Sequence, residues 1–226
     1  MAAATAASPQ AMFSVTPVRI YMTAKDRAVA VTISNDAGEP MLLQAELFSW
    51  KQKPDGADEL ALTEDLVLSP PIIKLAPNAK QVVRLARTKP ADGSRQLTYR
   101  LVMRHVPEAG ESKDTVRVPI ALALSMPVFI TPPNARYRMS CEATRGAAGM
   151  LDISCRNTGS AYTQVREIVA RQGERTVARF EGGAYILPGA KKTLEVKNDV
   201  AAAAGKLQLT VTYDDGHSET FDLTVG

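Results

Sequence analysis

From Val116 to Met126 the chain alternates without a break. Val116, Val118, Ile120, Leu122 and Leu124 are large and apolar, and the residues between them are arginine, proline, alanine or serine. A period of two predicts a β-strand with one apolar face. Pro119 has no N–H to give to a ladder, which predicts an edge strand or a bulge. An apolar edge is an aggregation hazard that proteins normally cover or blunt. Keeping one makes sense if another chain is meant to pair with it; the plain alternative is a half-buried strand of a sandwich.

Similar runs rich in Val, Ile, Leu, Tyr and Phe predict strands over Phe13 to Met22, Ala28 to Ser34, Met41 to Trp50, Gln81 to Arg87, Leu97 to Val106 and Val116 to Ile130. Turn formers such as Asn35-Asp36-Ala37-Gly38, Pro54-Asp55-Gly56 and Ala76-Pro77-Asn78 stand between them. About seven short strands with this punctuation describe one immunoglobulin-like sandwich. Thr131-Pro132-Pro133-Asn134 then reads as a stiff linker, because proline fixes φ and restrains the residue before it.

Beyond it the pattern restarts, with strands expected over Met150 to Cys155, Thr163 to Arg171, Thr176 to Phe180, Ala184 to Leu187, Lys191 to Val196, Lys206 to Tyr213 and Ser218 to Val225. The last two, joined by Asp214-Asp215-Gly216-His217, read as a terminal hairpin. Ala201 to Ala204 is the one expected helical turn. The fold class is therefore all-β, two consecutive sandwiches. Residues 1–12 are set aside as a signal remnant or flexible arm, 13–130 form the first domain, 131–135 the linker and 136–226 the second.

Length agrees, since 226 residues is too long for one sandwich of about 100 residues and natural for two. Hydrophobic residues at 45% and charged residues at 23% sit at globular values and supply real cores. No run approaches the ~20 apolar residues of a membrane helix, so direct membrane insertion is not expected. A net charge of +3, with five Phe, six Tyr and one Trp, gives little support to nucleic-acid binding. The Ala-rich start contains Ala-x-Ala spacings like the tail of a secretory signal, without a basic start or an apolar core.

Cys141 and Cys155 are the two cysteines, with Gly146 and Gly149 between them. Their spacing suits a bridge across the ends of a hairpin, which would imply an oxidising compartment; two buried reduced thiols are the alternative. His105 and His217 lie near no metal-ligand spacing, so neither a metal nor another cofactor is expected. A hydrolase fails on chemistry: there is no Gly-x-Ser-x-Gly elbow and no Cys–His pairing in a plausible context, so no catalytic residue is assigned.

The segment Ser69-Pro70-Pro71-Ile72-Ile73-Lys74-Leu75-Ala76-Pro77-Asn78-Ala79-Lys80-Gln81-Val82-Val83-Arg84-Leu85 resembles the signature of the periplasmic pilus chaperones of the chaperone-usher family: a proline pair, a Leu-x-Pro turn and a Gln-x-Val-Arg strand in this order. Ser14-Val15-Thr16-Pro17-Val18-Arg19 resembles that family's first strand, Ile33-Ser34-Asn35 its second, Tyr99 to Pro107 its penultimate and Ile120 to Pro132 its last. The likeness covers nearly all of residues 13 to 133. In the second half it is weaker, resting on Asn157-Thr158-Gly159 and the Leu187-Pro188-Gly189 turn.

The resemblance implies a boomerang of two immunoglobulin-like domains, working in the periplasm, that binds pilus subunits lacking their final strand, lends them a strand of its own and hands them to an outer-membrane usher. By position, Val116, Val118, Ile120, Leu122 and Leu124 are the groove-filling residues. Burying four or five such side chains offers on the order of 6–15 kcal/mol before ordering costs. The family anchors the subunit's terminal carboxylate between the domains with two basic residues. The arginine falls on Arg19, but the usual lysine falls on Pro127. In this the chain is similar to the divergent, archaic branch, where an arginine on the penultimate strand takes over; Arg100 is the first candidate and Arg104, on the same face, the second. The short polar segment Glu108 to Thr115 places the chain with the short-loop architectures. Self-association through the exposed strand is a further expectation. A structural adhesive or pilin-like module is the alternative function, although Met1 to Met12 lacks the alternation of a donor extension.

Overall fold

The computed structural model describes residues 13–90, 93–107 and 122–226. These form two compact units, the first built from stretches up to Ile130 and the second from Thr131–Gly226 together with Trp50–Glu59 and the stretch ending at Leu97. Val116, Val118 and Ile120, Pro119 and the segment Glu108 to Thr115 lie outside the described residues, as do residues 1–12.

The first half of the chain contributes β1 (Phe13–Thr16), β2 (Ile20–Thr23), β3 (Ala28–Asn35), β4 (Met41–Gln52), β5 (Asp58–Leu62), β6 (Leu66–Ser69), β7 (Ile72–Leu75), β8 (Lys80–Arg87), β9 (Leu97–His105) and β10 (Ala123–Thr131). They make a sheet in the order β1-β3-β8-β6 and a second in the order β2-β10-β9-β4-β5, with β7 also on β4. β1, β2, β6 and β7 bury strictly alternate residues, and the inward set of the two sheets, including Val31, Ile33, Leu43, Ile73, Leu85, Leu101 and Met103, forms the core. The single strand expected over Phe13 to Met22 is two. Phe13 and Val15 are buried on β1, Ile20 and Met22 on β2. The buried parity changes from odd to even across Pro17-Val18-Arg19, so the chain leaves one sheet and meets the core again from the other.

The second unit contains β11 (Met139–Arg145), β12 (Leu151–Asn157), β13 (Thr163–Gln172), β14 (Arg175–Ile186), β15 (Lys191–Leu194), β16 (Lys197–Asn198), β17 (Gly205–Tyr213) and β18 (Ser218–Val225), in sheets ordered β11-β12-β15 and β16-β14-β13-β17-β18. The two strands expected over Thr176 to Leu187 are one, because β14 runs through Gly182-Gly183 and its pairing with β13 shifts register there rather than ending. The first-half segments inside this unit are tied by side-chain amides. Gln52 Nε2 donates to Tyr185 O (2.9 Å) and Gln52 Oε1 accepts from the Leu187 N–H (3.0 Å). Gln96 accepts from the Tyr162 N–H at 2.7 Å, and Trp50 meets Tyr185 edge-on at 5.2 Å.

Ala201 to Ala204 does not form the helical turn. The Ala202 N–H donates to Gly149 O (2.8 Å) and the Ala203 N–H to Gln172 Oε1 (2.9 Å), so these backbone donors are spent on neighbours rather than along a helix. The one turn of 3-10 helix among the described residues is Ala147–Gly149, where Gly149, at φ +76, lies so near Ala202 O that a Cβ would reach it at 2.9 Å.

The two halves share a corner that their sequences barely show. At the end of β3, buried Asn35 donates from Nδ2 to Glu39 O and Ala76 O and accepts from the Ala37 N–H, at 2.8, 2.9 and 3.0 Å. At the end of β12, buried Asn157 donates to Ala161 O and Ile186 O and accepts from the Gly159 N–H, at 2.7, 3.1 and 3.0 Å. In each case the asparagine N–H also bonds the residue after a left-handed turn position, Ala79 O beyond Asn78 and Ala190 O beyond Gly189, both at 2.9 Å. One asparagine thus satisfies the backbone groups that a strand-to-loop corner would otherwise leave buried without partners.

Cys141 and Cys155 are joined in a disulfide and lie directly opposite each other on β11 and β12, Cα atoms 4.1 Å apart. Both pack in the second unit's core. For a sequence separation of 14, the bridge is expected to contribute about 3 kcal/mol by restricting the unfolded chain. Replacing both cysteines by serine should lower the melting temperature of the second unit, and an unchanged melting profile on calorimetry would contradict this.

Candidate functional site

β10 changes character midway. Ala123, Leu124 and Ser125 are exposed, Met126 to Ile130 are all buried and Thr131 is half-buried. Leu122, just before the strand, is 38% exposed and Leu124 37%, whereas Met126 is 4% and Val128 0%. The Leu122 carbonyl accepts from the His105 N–H at 2.8 Å, which fixes the start of the exposed stretch against β9. The alternation predicted from Val116 onward therefore crosses a boundary between Ser125 and Met126. Residues of both parities are buried beyond it, so both faces of the strand are covered there. In this sheet the edge is four-residue β2, and buried Pro127 lies on β10 between β2 and β9; Pro119, on which the edge expectation rests, is outside the described residues.

Arg19 occupies the bend between β1 and β2 and is half-buried. Arg100 is half-buried on β9, directly opposite Phe48 of β4. Arg19 and Arg100 thus belong to one sheet, at the lead-in to β2 and on β9, with β10 between these strands. Two strand spacings are about 10 Å. Arg104 shares the outer face of β9 with Arg100, about 13 Å along the strand. It is exposed and pairs with Glu46 Oε2 at 3.1 Å, a contact of the exposed kind that contributes little. The three arginines are therefore unlike: two half-buried on one sheet, and one at the surface with a carboxylate beside it.

The residue beside Arg100 is fixed from within. The buried Tyr99 hydroxyl donates to Asp65 Oδ2 at 3.3 Å, and Asp65 Oδ1 accepts from Lys89 at 2.8 Å. Burial first, and the Asp65 charge second, push the Tyr99 phenol up to about 12. The Lys89 hydrogen bond holds Asp65 below the usual carboxylate range. In the second unit burial, followed by Asp215 and Glu219, raises Tyr137 to about 12 as well. Phenols that ionise near 10 when unfolded and higher when folded stabilise fully below about pH 10 and lose that contribution as pH rises through about 12. Urea midpoints should fall across this window in step with phenolate absorbance, and Tyr99→Phe should flatten the fall. A midpoint that does not change with pH there would refute it.

Among the described residues no cluster of three or more His, Cys, Asp or Glu is placed to hold a metal ion. No helix of the described residues is long and apolar enough to cross a membrane.

No curated protein matches the chain. Solved structures do. The chaperone–tip adhesion subunit pre-assembly complex CsuC–CsuE of the archaic chaperone-usher Csu pili of Acinetobacter baumannii aligns with TM-score 0.69 and 18% identity over 96% of this chain and 100% of that one. The Pseudomonas aeruginosa chaperone CupB2 aligns with TM-score 0.62 and 18% identity over 94% and 100%. The E. coli chaperone DraB aligns with TM-score 0.60 and 20% identity over 95% and 96%. At such identities these likenesses establish the fold, two immunoglobulin-like sandwiches. Residues 12–136, more than half of the chain, match the family model described as pili and flagellar-assembly chaperone, PapD N-terminal domain, and the chain belongs to that family of pilus chaperones.

Proposed function

We propose that this protein is a non-enzymatic periplasmic chaperone that captures pilus subunits lacking their final strand, completes them with the alternating stretch from Val116 to Leu124, and delivers them to an outer-membrane usher. The observation that carries this reading is the change within β10. Leu122 and Leu124 keep large apolar side chains more than a third exposed immediately before a stretch that the protein buries in its own core. A strand built only to fill its own sandwich would bury that face to the end, and strand addition supplies the missing cover: backbone hydrogen bonds give affinity and alternate side chains fill the acceptor's groove. Arg19 and Arg100 are assigned to the subunit's terminal carboxylate, a group that guanidinium grips at two points.

Secreting a pilus subunit into a periplasm with and without this protein tests the reading. The subunit should stay soluble and co-purify only in its presence. A subunit equally soluble without it, or one that never co-purifies, would defeat the proposal.

A further inference from the structure

The second unit carries a concavity outside the residues assigned above to subunit capture. It lies on the outward face of β13, β17 and β18, has a volume of about 440 Å³, and is rimmed by Arg171, Gly173, Lys206, Gln208, Asp222 and Thr224. Register places these groups: Arg171 is opposite Gln208, Gln208 opposite Asp222, and Lys206 opposite Thr224. Arg171 and Lys206 are diagonal neighbours on adjacent strands, about 7–8 Å apart at the backbone, close enough for two long side chains to converge on one anion. Among the described residues neither has an ion-pair partner.

The walls are held in place. Gln172 donates from Nε2 to Ala203 O at 2.7 Å and accepts from the Ala203 N–H at 2.9 Å, and a longer bond of 3.4 Å reaches Lys206 O. That clamp fixes the segment leading into β17. Gly173 contributes no side chain, and the space where one would stand is open, which leaves room above the sheet. Gln208 Nε2 donates to Asp222 Oδ1 at 3.4 Å, so an amide and a carboxylate stand side by side with the Thr224 hydroxyl as their neighbour. Leu207, 2% exposed, and Leu223 alternate with these polar residues and pack into the core beneath them.

We propose that this concavity binds an anionic saccharide, its carboxylate on Arg171 and Lys206 and its ring hydroxyls on Gln208, Asp222 and Thr224. Each part of the lining matches one part of such a ligand. Arg171 and Lys206 take the charge, since guanidinium and carboxylate form charge-assisted bonds stronger than neutral ones. The amide, carboxylate and hydroxyl offer both donors and acceptors, as vicinal hydroxyls require. A bare inorganic anion would use only the cations and would be repelled by Asp222; a neutral sugar would leave the cations unused. The volume lies within the usual range of small-molecule sites.

The test is titration of the isotopically labelled full-length protein with D-glucuronate, glucose and acetate, followed by backbone amide resonances. Glucuronate should produce saturable shifts at Gly173, Gln208 and Thr224, and glucose and acetate should bind at least about tenfold more weakly, the factor that one well-placed charged contact supplies. Arg171→Gln with Lys206→Gln should remove the glucuronate response and leave the remaining amide resonances in place. Thr224→Trp, which fills the space while keeping both cationic residues, should also remove it. A galacturonate oligomer binding much more tightly than glucuronate would assign the site to an envelope glycan, and equal affinity to a free sugar acid. Absence of saturation with every saccharide, an equal response to acetate, or a response that survives both variants would overturn the proposal.

Discussion

Leu122→Asp should abolish capture of a pilus subunit while the protein itself stays folded. Leu122 is 38% exposed in the free protein, so a carboxylate there remains hydrated and costs the fold little. Under the proposed strand donation the same position would face an apolar groove in the captured subunit. Losing the burial of one leucine costs about 1.5–3 kcal/mol, and placing an unpaired polar or charged group in that groove adds several more. The sum is about a thousandfold or more in affinity. Ile120→Asp is expected to act in the same way. The informative contrast is Met126→Asp, four residues beyond Leu122 on the same parity. Met126 is 4% exposed, and an aspartate there should unfold the first unit rather than block capture selectively. Circular dichroism separates the two effects: native spectra with lost capture for Leu122→Asp, lost structure for Met126→Asp. Full capture by a folded Leu122→Asp variant would exclude strand donation through this stretch.

The boundary between those two residues was within reach of the sequence. Up to Ser125 the apolar residues keep one parity, but Met126-Pro127-Val128-Phe129-Ile130 is apolar at both, and a continuous apolar run marks a strand buried on both faces. Reading only the even positions hides that change. Elsewhere legibility follows how strongly burial alternates. β3, β8 and β17, with long alternating patterns, were expected within a residue or so of where they lie. β5 is exposed at all five positions and has no face to reveal it, and β6 and β7 are four residues each, separated by Pro70-Pro71. β11 is legible only as the first arm of the hairpin that the cysteine spacing implies, because its buried residues, Met139 and Cys141, are not the β-branched or aromatic types that advertise a strand. The shared corner at Asn35 and Asn157 was beyond sequence reasoning for a different reason. Its equivalence lies in which carbonyls each amide reaches, 41 residues on in one unit and 29 in the other. The arginines stand between these cases: the sequence puts Arg100 and Arg104 on one face, and the structure distinguishes them by leaving Arg100 half-buried and Arg104 exposed.

That distinction sets the expected order of effects at the carboxylate anchor. Arg19→Ala and Arg100→Ala should each weaken capture by about 2–5 kcal/mol, largely the cost of leaving a buried carboxylate without its partner. Arg104→Ala should cost about 0–1 kcal/mol, because the group is exposed and its removal breaks only a surface pair with Glu46. The usual lysine position being Pro127 sharpens the expectation, since that residue offers neither charge nor N–H, and any second cation must come from a neighbouring strand. A cycle in which the subunit's C-terminus is amidated isolates the interaction. If both arginines act on that carboxylate, amidation should weaken capture by the unaltered protein but add little to the loss already caused by Arg19→Ala or Arg100→Ala. Additive losses would mean that the arginines contact some other part of the subunit. A silent Arg100→Ala together with a damaging Arg104→Ala would move the role four residues along β9, and would require Glu46 to release its partner when the subunit binds.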